Sequence, residues 1–374
     1  MGMGYQGFVK FYTEGPAAGT EIVILTTGAS VNLVLEPIYS NAVWGAGWYN
    51  AADSAHYADN AIRFEGSIDF ELQGSNEIWD LMAGWIINDR AYPRSVDISP
   101  DGARVYQYRT SSTYNTNYDL EGMWNTSASF STSEGSFVTV SAGAIALNRA
   151  ERDPVGGLNF SDYSYINQKT GVVAGNCTVL GATNPLNPGG ANVNPIPYWR
   201  TNAQLYRDPT AVGGVYSGPF NEDSALLPQT GLETVEWNAD VTQNHVVLYT
   251  ANGSRLPTAL LQGPMSVSGS VVLYNNDSVF DPIFGPAGAA SLTDPYMTAE
   301  NTYFLVAIDR PAPAATLYME IPAVVIESDD FGIPGQDAVT NRTFSLKGMG
   351  GRCNGSVTMP PFIMSGSDGL FVAP

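Results

Sequence analysis

Three carboxylates fall close together in one short stretch of the chain, Glu65, Asp69 and Glu71. Carboxylates at such spacing can move protons, hold a hard cation or set up a negative field. Proton transfer in glycoside hydrolysis needs a second carboxyl opposed across a cleft, and linear spacing cannot supply one. Other groups able to do chemistry are sparse. His56 and His245 are the only histidines. Neither neighbours a Ser or Cys nucleophile motif, so each reads as a surface or loop histidine. Cys177 and Cys353 are the only cysteines; two so far apart make neither a disulfide framework nor a zinc site and read as unpaired thiols. The sequence contains no Gly-x-Ser-x-Gly, His-Glu-x-x-His, P-loop or dinucleotide-binding glycine motif. Asp329-Asp330 and Glu233 with Glu236 are pairs that 36 acids produce by chance. The stretch from Asp277 to Asp281 lacks the spaced oxygen ligands of a calcium loop. The expectation is therefore no enzyme, no catalytic residue, no cofactor and no metal, which leaves the carboxylates an electrostatic use.

The whole-chain charge frames that use. Asp and Glu number 36 against 16 Lys and Arg, a formal net charge of −20 over 374 residues. So acidic a chain does not hold a phosphate backbone by charge. With 44% hydrophobic and 11% aromatic residues, it is not a disordered acidic tail either. Charged residues are only 14% of the total, which suggests surfaces that meet neighbours. Met1 to Glu21 lacks a basic stretch followed by an apolar core. The apolar run from Ile78 to Ile87 is too short to span a bilayer. Assembly in a reducing cytoplasm, with no membrane step, is the expectation.

The elements that must position these residues are mostly strands. Short alternating runs recur between Gly, Pro, Asn and Asp punctuation. In Ile62–Leu72, Phe64, Gly66, Ile68, Phe70 and Leu72 fall on one face. Arg63, Glu65, Ser67, Asp69 and Glu71 fall on the other, because side chains alternate along a strand. Pro264–Tyr274 repeats the pattern, with Val267, Gly269, Val271 and Leu273 inward and Ser266, Ser268 and Ser270 outward. One segment reads as a helix: after the capping residue Ser75, the apolar residues Ile78, Leu81, Met82, Trp85 and Ile86 recur at three- and four-residue steps.

The two wet faces are alike because the halves of the chain are alike. Gly66-Ser67-Ile68 matches Gly269-Ser270-Val271, and Ser30-Val31 matches Thr234-Val235. Apolar segments follow in each half, Ile78-Trp79-Asp80-Leu81 and Val279-Phe280-Asp281-Pro282. The expected layout is a first β domain over 1–152, a Gly-, Pro- and Asn-rich insertion and crossing over 153–229 with a short ordered piece at Ile196–Tyr206, a second β domain over 230–350, and a C-terminal arm over 351–374. Ahead of the acidic strand, Ser40–Ala61 carries Trp44, Trp48, Tyr49 and Tyr57, an aromatic loop of the kind that anchors on a neighbouring subunit.

This order of elements resembles the tail tube proteins of tailed bacteriophages and their tube-like tail-tip and baseplate relatives. The resemblance is carried by a long hairpin ending in Ile62-Arg63-Phe64-Glu65-Gly66-Ser67-Ile68-Asp69-Phe70 and by the single helix near Ser75–Asn88. It is also carried by Met123–Phe130 followed by Gly135–Leu147, and by Leu317–Val324 followed by the run to Lys347. The resemblance implies a mainly β fold of two tube-like sandwich or half-barrel domains. Their strands would close a central barrel on oligomerisation, as a trimer with pseudo-sixfold symmetry or a hexamer. It implies stacked rings in a virion tail that also meet other tail proteins and let DNA pass. Glu65, Ser67, Asp69, Glu71, Ser266, Ser268 and Ser270 would then face the lumen. The alternatives are a capsid decoration or receptor-binding tail protein, for which Trp44, Trp48 and Trp199 could serve as contact aromatics, and a glycan-active enzyme.

Overall fold

A computed structural model describes residues 8–13, 21–24, 26–39, 57–74, 103–110, 115–152, 183–184, 187–188, 195–207, 227–228, 234–251, 255–274, 302–311, 314–331, 341–349, 353–354, 357–358 and 361–366, with 78, 79, 82, 85 and 86. These residues are mainly β. The first half supplies β1 (Phe8–Thr13), β2 (Glu21–Ile24), β3 (Thr26–Tyr39), β4 (Tyr57–Glu71), β5 (Ala103–Thr110), β6 (Asn115–Ser133) and β7 (Thr139–Arg152). Two short strands follow, β8 (Thr183–Asn184) and β9 (Asn187–Pro188), then a 3-10 turn at Tyr198–Arg200, β10 (Thr201–Arg207) and β11 (Leu227–Pro228). The second half adds β12 (Thr234–Leu248), β13 (Ala259–Tyr274), β14 (Thr302–Pro311), β15 (Ala314–Ile321), β16 (Val324–Phe331) and β17 (Asn341–Gly348). The chain closes with β18 (Cys353–Asn354), β19 (Val357–Thr358) and β20 (Ile363–Gly366).

Two antiparallel sheets hold most of these strands. The larger, of eleven strands, contains the path β3-β4-β7-β6-β12-β13-β17-β16, with β5, β1 and β2 running on from β6. The smaller has the order β11-β10-β14-β15-β20. They face each other across one hydrophobic core, to which the large sheet gives Ile68, Phe70, Phe130, Val241, Val271 and Phe344 and the small one Leu205, Phe304, Ile308, Leu317 and Met319. Phe130 stacks on Phe362 at 6.2 Å between ring centroids. Thr234 Oγ1 donates to the Ala203 carbonyl at 2.6 Å, tying the two layers together. The helical residues Ile78, Trp79, Met82, Trp85 and Ile86 are buried in the same core, as their spacing predicts. Trp79 Nε1 donates to the Gln73 carbonyl at 3.0 Å, which ties the helical residues to the end of β4.

The large sheet contains the same four-strand unit twice. In the first half the spatial order is β3-β4-β7-β6, and in the second it is β12-β13-β17-β16. The registers agree residue for residue. Gly66 lies opposite Val31 on one side and Ala144 on the other, and Gly269 lies opposite Ala239 and Leu346. Three irregularities coincide as well. The first hairpin slips between Thr26 and Gly28, and the second between Thr234 and Glu236. Pairing resumes beyond a second slip at Pro37 opposite Asp59, and at His245 opposite Gln262. The β6·β7 pair slips between Asn125 and Ser127, and β16·β17 between Ile326 and Ser328. Bulges are specific built features of a strand pair, so three in matching places mark a true repeat.

The Gly-Ser match survives in the structure for a physical reason. A Cβ on Gly66 would overlap the Ser30 carbonyl oxygen, and one on Gly269 would stand 2.7 Å from the Asn238 carbonyl oxygen. Ser30 and Asn238 are counterparts, so each unit needs glycine at the same close approach. The match of Ser30-Val31 with Thr234-Val235 does not survive. Register makes Ala239 the counterpart of Val31, and Thr234 that of Thr26. The stretch Val279–Pro282 lies outside the described residues. The ordered piece expected inside the 153–229 segment is the 3-10 turn with β10, an inner strand of the small sheet.

Candidate functional site

The feature with functional potential is the face of the large sheet turned away from the core. All seven residues expected on a wet face lie there, and hydrogen-bonded registers connect them into rows. One row runs Ser30, Ser67, Gly143, Ser127, Thr242, Ser266. The next runs Gly28, Asp69, Ser141, Ser129, Asp240, Ser268, Lys347. A third runs Glu71, Thr139, Ser131, Asn238, Ser270, Ser345, Ser328. Glu65 lies one step beyond the first row, opposite Asn32 and Ile145. Residues that are 200 positions apart in sequence thus form one surface of hydroxyls, amides and carboxylates.

The electrostatics of this face are negative. Among the described residues on it, Arg63 pairs with Glu65 and Lys347 with Glu327, the latter at 3.5 Å. Each of these cations is matched by a carboxylate on its own face, so the net field of the described face comes from Asp69, Glu71, Glu236, Asp240 and Asp330. Asp69 is held by hydroxyls: Ser141 Oγ donates to Oδ1 at 2.5 Å and Ser67 Oγ to Oδ2 at 3.4 Å. Ser131 and Thr139 hydroxyls lie 2.9 Å apart. Short side chains bonded to one another make up much of this charged wall.

The junction between the two repeats is built with care. β6 and β12 pair from Ser127 opposite Thr242 to Ser133 opposite Glu236. Where that ladder ends, His245 Nε2 donates to the Asn125 carbonyl at 2.7 Å, and its ring meets Trp124 edge-on at 5.6 Å. His245 is therefore a half-buried strand residue at the junction, not the surface or loop histidine its sequence setting suggests. Asn125 braces the bulge beside it: its Nδ2 donates to the carbonyls of Ser127 at 2.8 Å and Gly143 at 3.0 Å. Gln243 reaches back across the core face and donates to the Ile86 carbonyl, so the helical residues cover this seam.

Of the aromatic loop, Trp44, Trp48 and Tyr49 lie outside the described residues, as does His56. β4 begins five positions ahead of the expected Ile62. Tyr57 accordingly opens a strand opposite Tyr39 and is not part of the preceding loop. Cys353 sits in β18, and Cys177 is outside the described residues. Among the described residues no three His, Cys, Asp or Glu groups converge as a metal site. No described helix is long and apolar enough to cross a membrane.

No protein-family profile and no curated protein matches the chain. Among solved structures it is similar to the tail tube of bacteriophage SPP1, determined by solid-state NMR and cryo-electron microscopy. The similarity covers 46% of this chain and 80% of that one, at 15% identity and a TM-score of 0.25. A likeness of that size identifies no family.

Proposed function

We propose that the chain is a structural subunit of a phage tail tube. In this reading copies join into a ring, rings stack, and the polar face of the large sheet lines the channel that DNA moves through. The observation that carries the reading is the tandem unit: two equivalent units already joined edge to edge in one sheet, with a continuous acidic and hydroxylic face. Such a sheet is a segment of a curved wall. Closing it removes the exposed edges that otherwise invite aggregation. Three chains would supply six repeats to a ring, and six chains would supply twelve. Other tail proteins would meet the ring at its ends.

The chemistry of the wall suits passage over binding. Repulsion between exposed carboxylates and a phosphate backbone fades within roughly 10 Å at 0.1 M salt. It keeps DNA off the surface without barring the channel, and among the described residues the two cations of the face, Arg63 and Lys347, are each paired with a carboxylate. Negative-stain microscopy of the purified protein is expected to show rings or tubes with a central hole. Discrete globular particles at every salt and protein concentration would sink the reading. Replacing Glu65, Asp69 and Glu71 together by lysine is expected to leave assembly intact and slow DNA ejection. Unchanged ejection kinetics would remove the lumen assignment.

A capsid decoration or receptor-binding role is the second reading. It is favoured by Trp199, 61% exposed with the Arg200 guanidinium 4.3 Å from its ring centroid. An exposed aromatic of this kind can stack on a partner. The same microscopy separates the two.

A further inference from the structure

The path of the repeated units ends in two unlike strands. Among the described strands β3 pairs with β4 alone, and β16 pairs with β17 alone. We infer that β16 of one copy pairs antiparallel with β3 of a second copy, in the register by which β6 pairs with β12 inside the chain. The inference takes from the proposal above only that copies of the chain associate.

Three observations carry it. First, β6 and β16 are counterparts, and so are β12 and β3. Each pair of counterparts has its bulge in the same place, after Asn125 and Ile326 in one and after Thr234 and Thr26 in the other. The outer edge of β16 therefore repeats an edge that docks within the chain, and the outer edge of β3 repeats the edge it docks onto. Second, burial at the counterpart positions differs in the direction a missing neighbour predicts. Leu33 of β3 is 41% exposed, whereas its counterpart Val241 in β12, which β6 pairs, is 0% exposed. Leu33 lies opposite Phe64 on the core face of the sheet, as Val241 lies opposite Val267. An apolar row on a long unpaired edge is a liability unless another strand covers it. Third, the transferred register brings no like charges together: Phe130 opposite Ala239 becomes Phe331 opposite Val31, and Ala128 opposite Val241 becomes Asp329 opposite Leu33. Ser129 opposite Asp240 becomes Asp330 opposite Asn32, and Ser127 opposite Thr242 becomes Ser328 opposite Val34. The hydroxyl- and amide-rich face continues across the seam. The contact is head-to-tail, so a dimer still exposes one β3 and one β16, and growth continues until a ring closes.

The test uses the full chain with Cys177 and Cys353 replaced by Ser. Asp330→Cys and Asn32→Cys each change an exposed strand position. Under mild oxidation each single variant is expected to stay uncrosslinked. An equal mixture of the two is expected to give a disulfide-linked dimer and nothing larger, and the double variant a ladder of higher species. The pair Asp330→Cys with Ser30→Cys is expected to fail. Two residues of offset move the Cα atoms apart by roughly 7 Å along the strand, beyond what a disulfide spans. A dimer from Asn32→Cys alone would mean β3 meets β3 and would overturn the inference. So would crosslinking only at the offset pair, or no intermolecular crosslink from any variant. Rings by microscopy without the predicted crosslink would sink the register and leave the tube reading standing. The predicted crosslink without rings or tubes would do the reverse.

Discussion

β3 and β12 hold the same station in their repeats and live in different surroundings. Each leads a hairpin, lies beside a glycine-bearing strand and carries its first bulge at the same step. β12 is an inner strand, paired by β6 on its far side, with the helical residue Ile86 accepting a hydrogen bond from Gln243 above it. Among the described strands β3 has β4 alone. The repeat therefore does not dictate burial. The same pleat with apolar residues on the same face is core in one place and surface in the other, and the neighbour decides which.

The sharpest way to break that comparison is to place a charge at one position in each repeat. Val241→Asp buries a carboxylate in the apolar core and is expected to cost on the order of 4 kcal/mol or more, enough to unfold the chain or trap it in inclusion bodies. Leu33→Asp, at the counterpart, is expected to move monomer stability by about 0.5 kcal/mol or less while abolishing assembly. Thermal unfolding and sedimentation of the two variants check this; equal destabilisation by both would erase the contrast. The glycines come next. Gly66→Ala forces backbone to move away from the Ser30 carbonyl and is expected to cost about 3 kcal/mol, whereas Gly269→Ala meets a looser approach and is expected to cost about 1 kcal/mol. Denaturant midpoints would rank them. The smallest contrast lies at the shared bulge of β6 and β16. Asn125→Ala strips two carbonyls of their donor and is expected to cost about 2 kcal/mol. Ile326→Ala removes half-buried aliphatic surface and is expected to cost about 1 kcal/mol. Reversal of that order would mean that packing, not the amide brace, holds the bulge.

What could be read from the sequence tracks how local each cause is. The faces of β4 follow from alternation within Ile62–Leu72, and the helical residues from their three- and four-residue steps. The repeated glycine at 66 and 269 is legible because both units bring a backbone carbonyl close to that position. The counterpart of Val31 was misplaced because a two-residue identity cannot outweigh a bulge and an unequal loop. β6 is longer than its apolar pattern suggests, running from Asn115 to Ser133; its first turns of sequence, Asn-Thr-Asn-Tyr-Asp, alternate poorly. β12 passes through the slip at Asn244 without a break, which the polar run Thr242 to His245 does not suggest. The seam between β6 and β12 had no sequence signal. It joins segments over a hundred residues apart, and its key contacts, His245 to Asn125 and Gln243 to Ile86, are single polar groups that only the fold brings together.

The bulge beside Asn125 has one more consequence. Its counterpart at Ile326 has the same slip but an aliphatic side chain where the first has an amide. A wall closed from whole chains would hold an even number of units, with the two kinds strictly alternating. Such a wall has half the rotational symmetry its backbone displays. Selection can alter every second station, in charge, stiffness or attached loops, without touching the stations between.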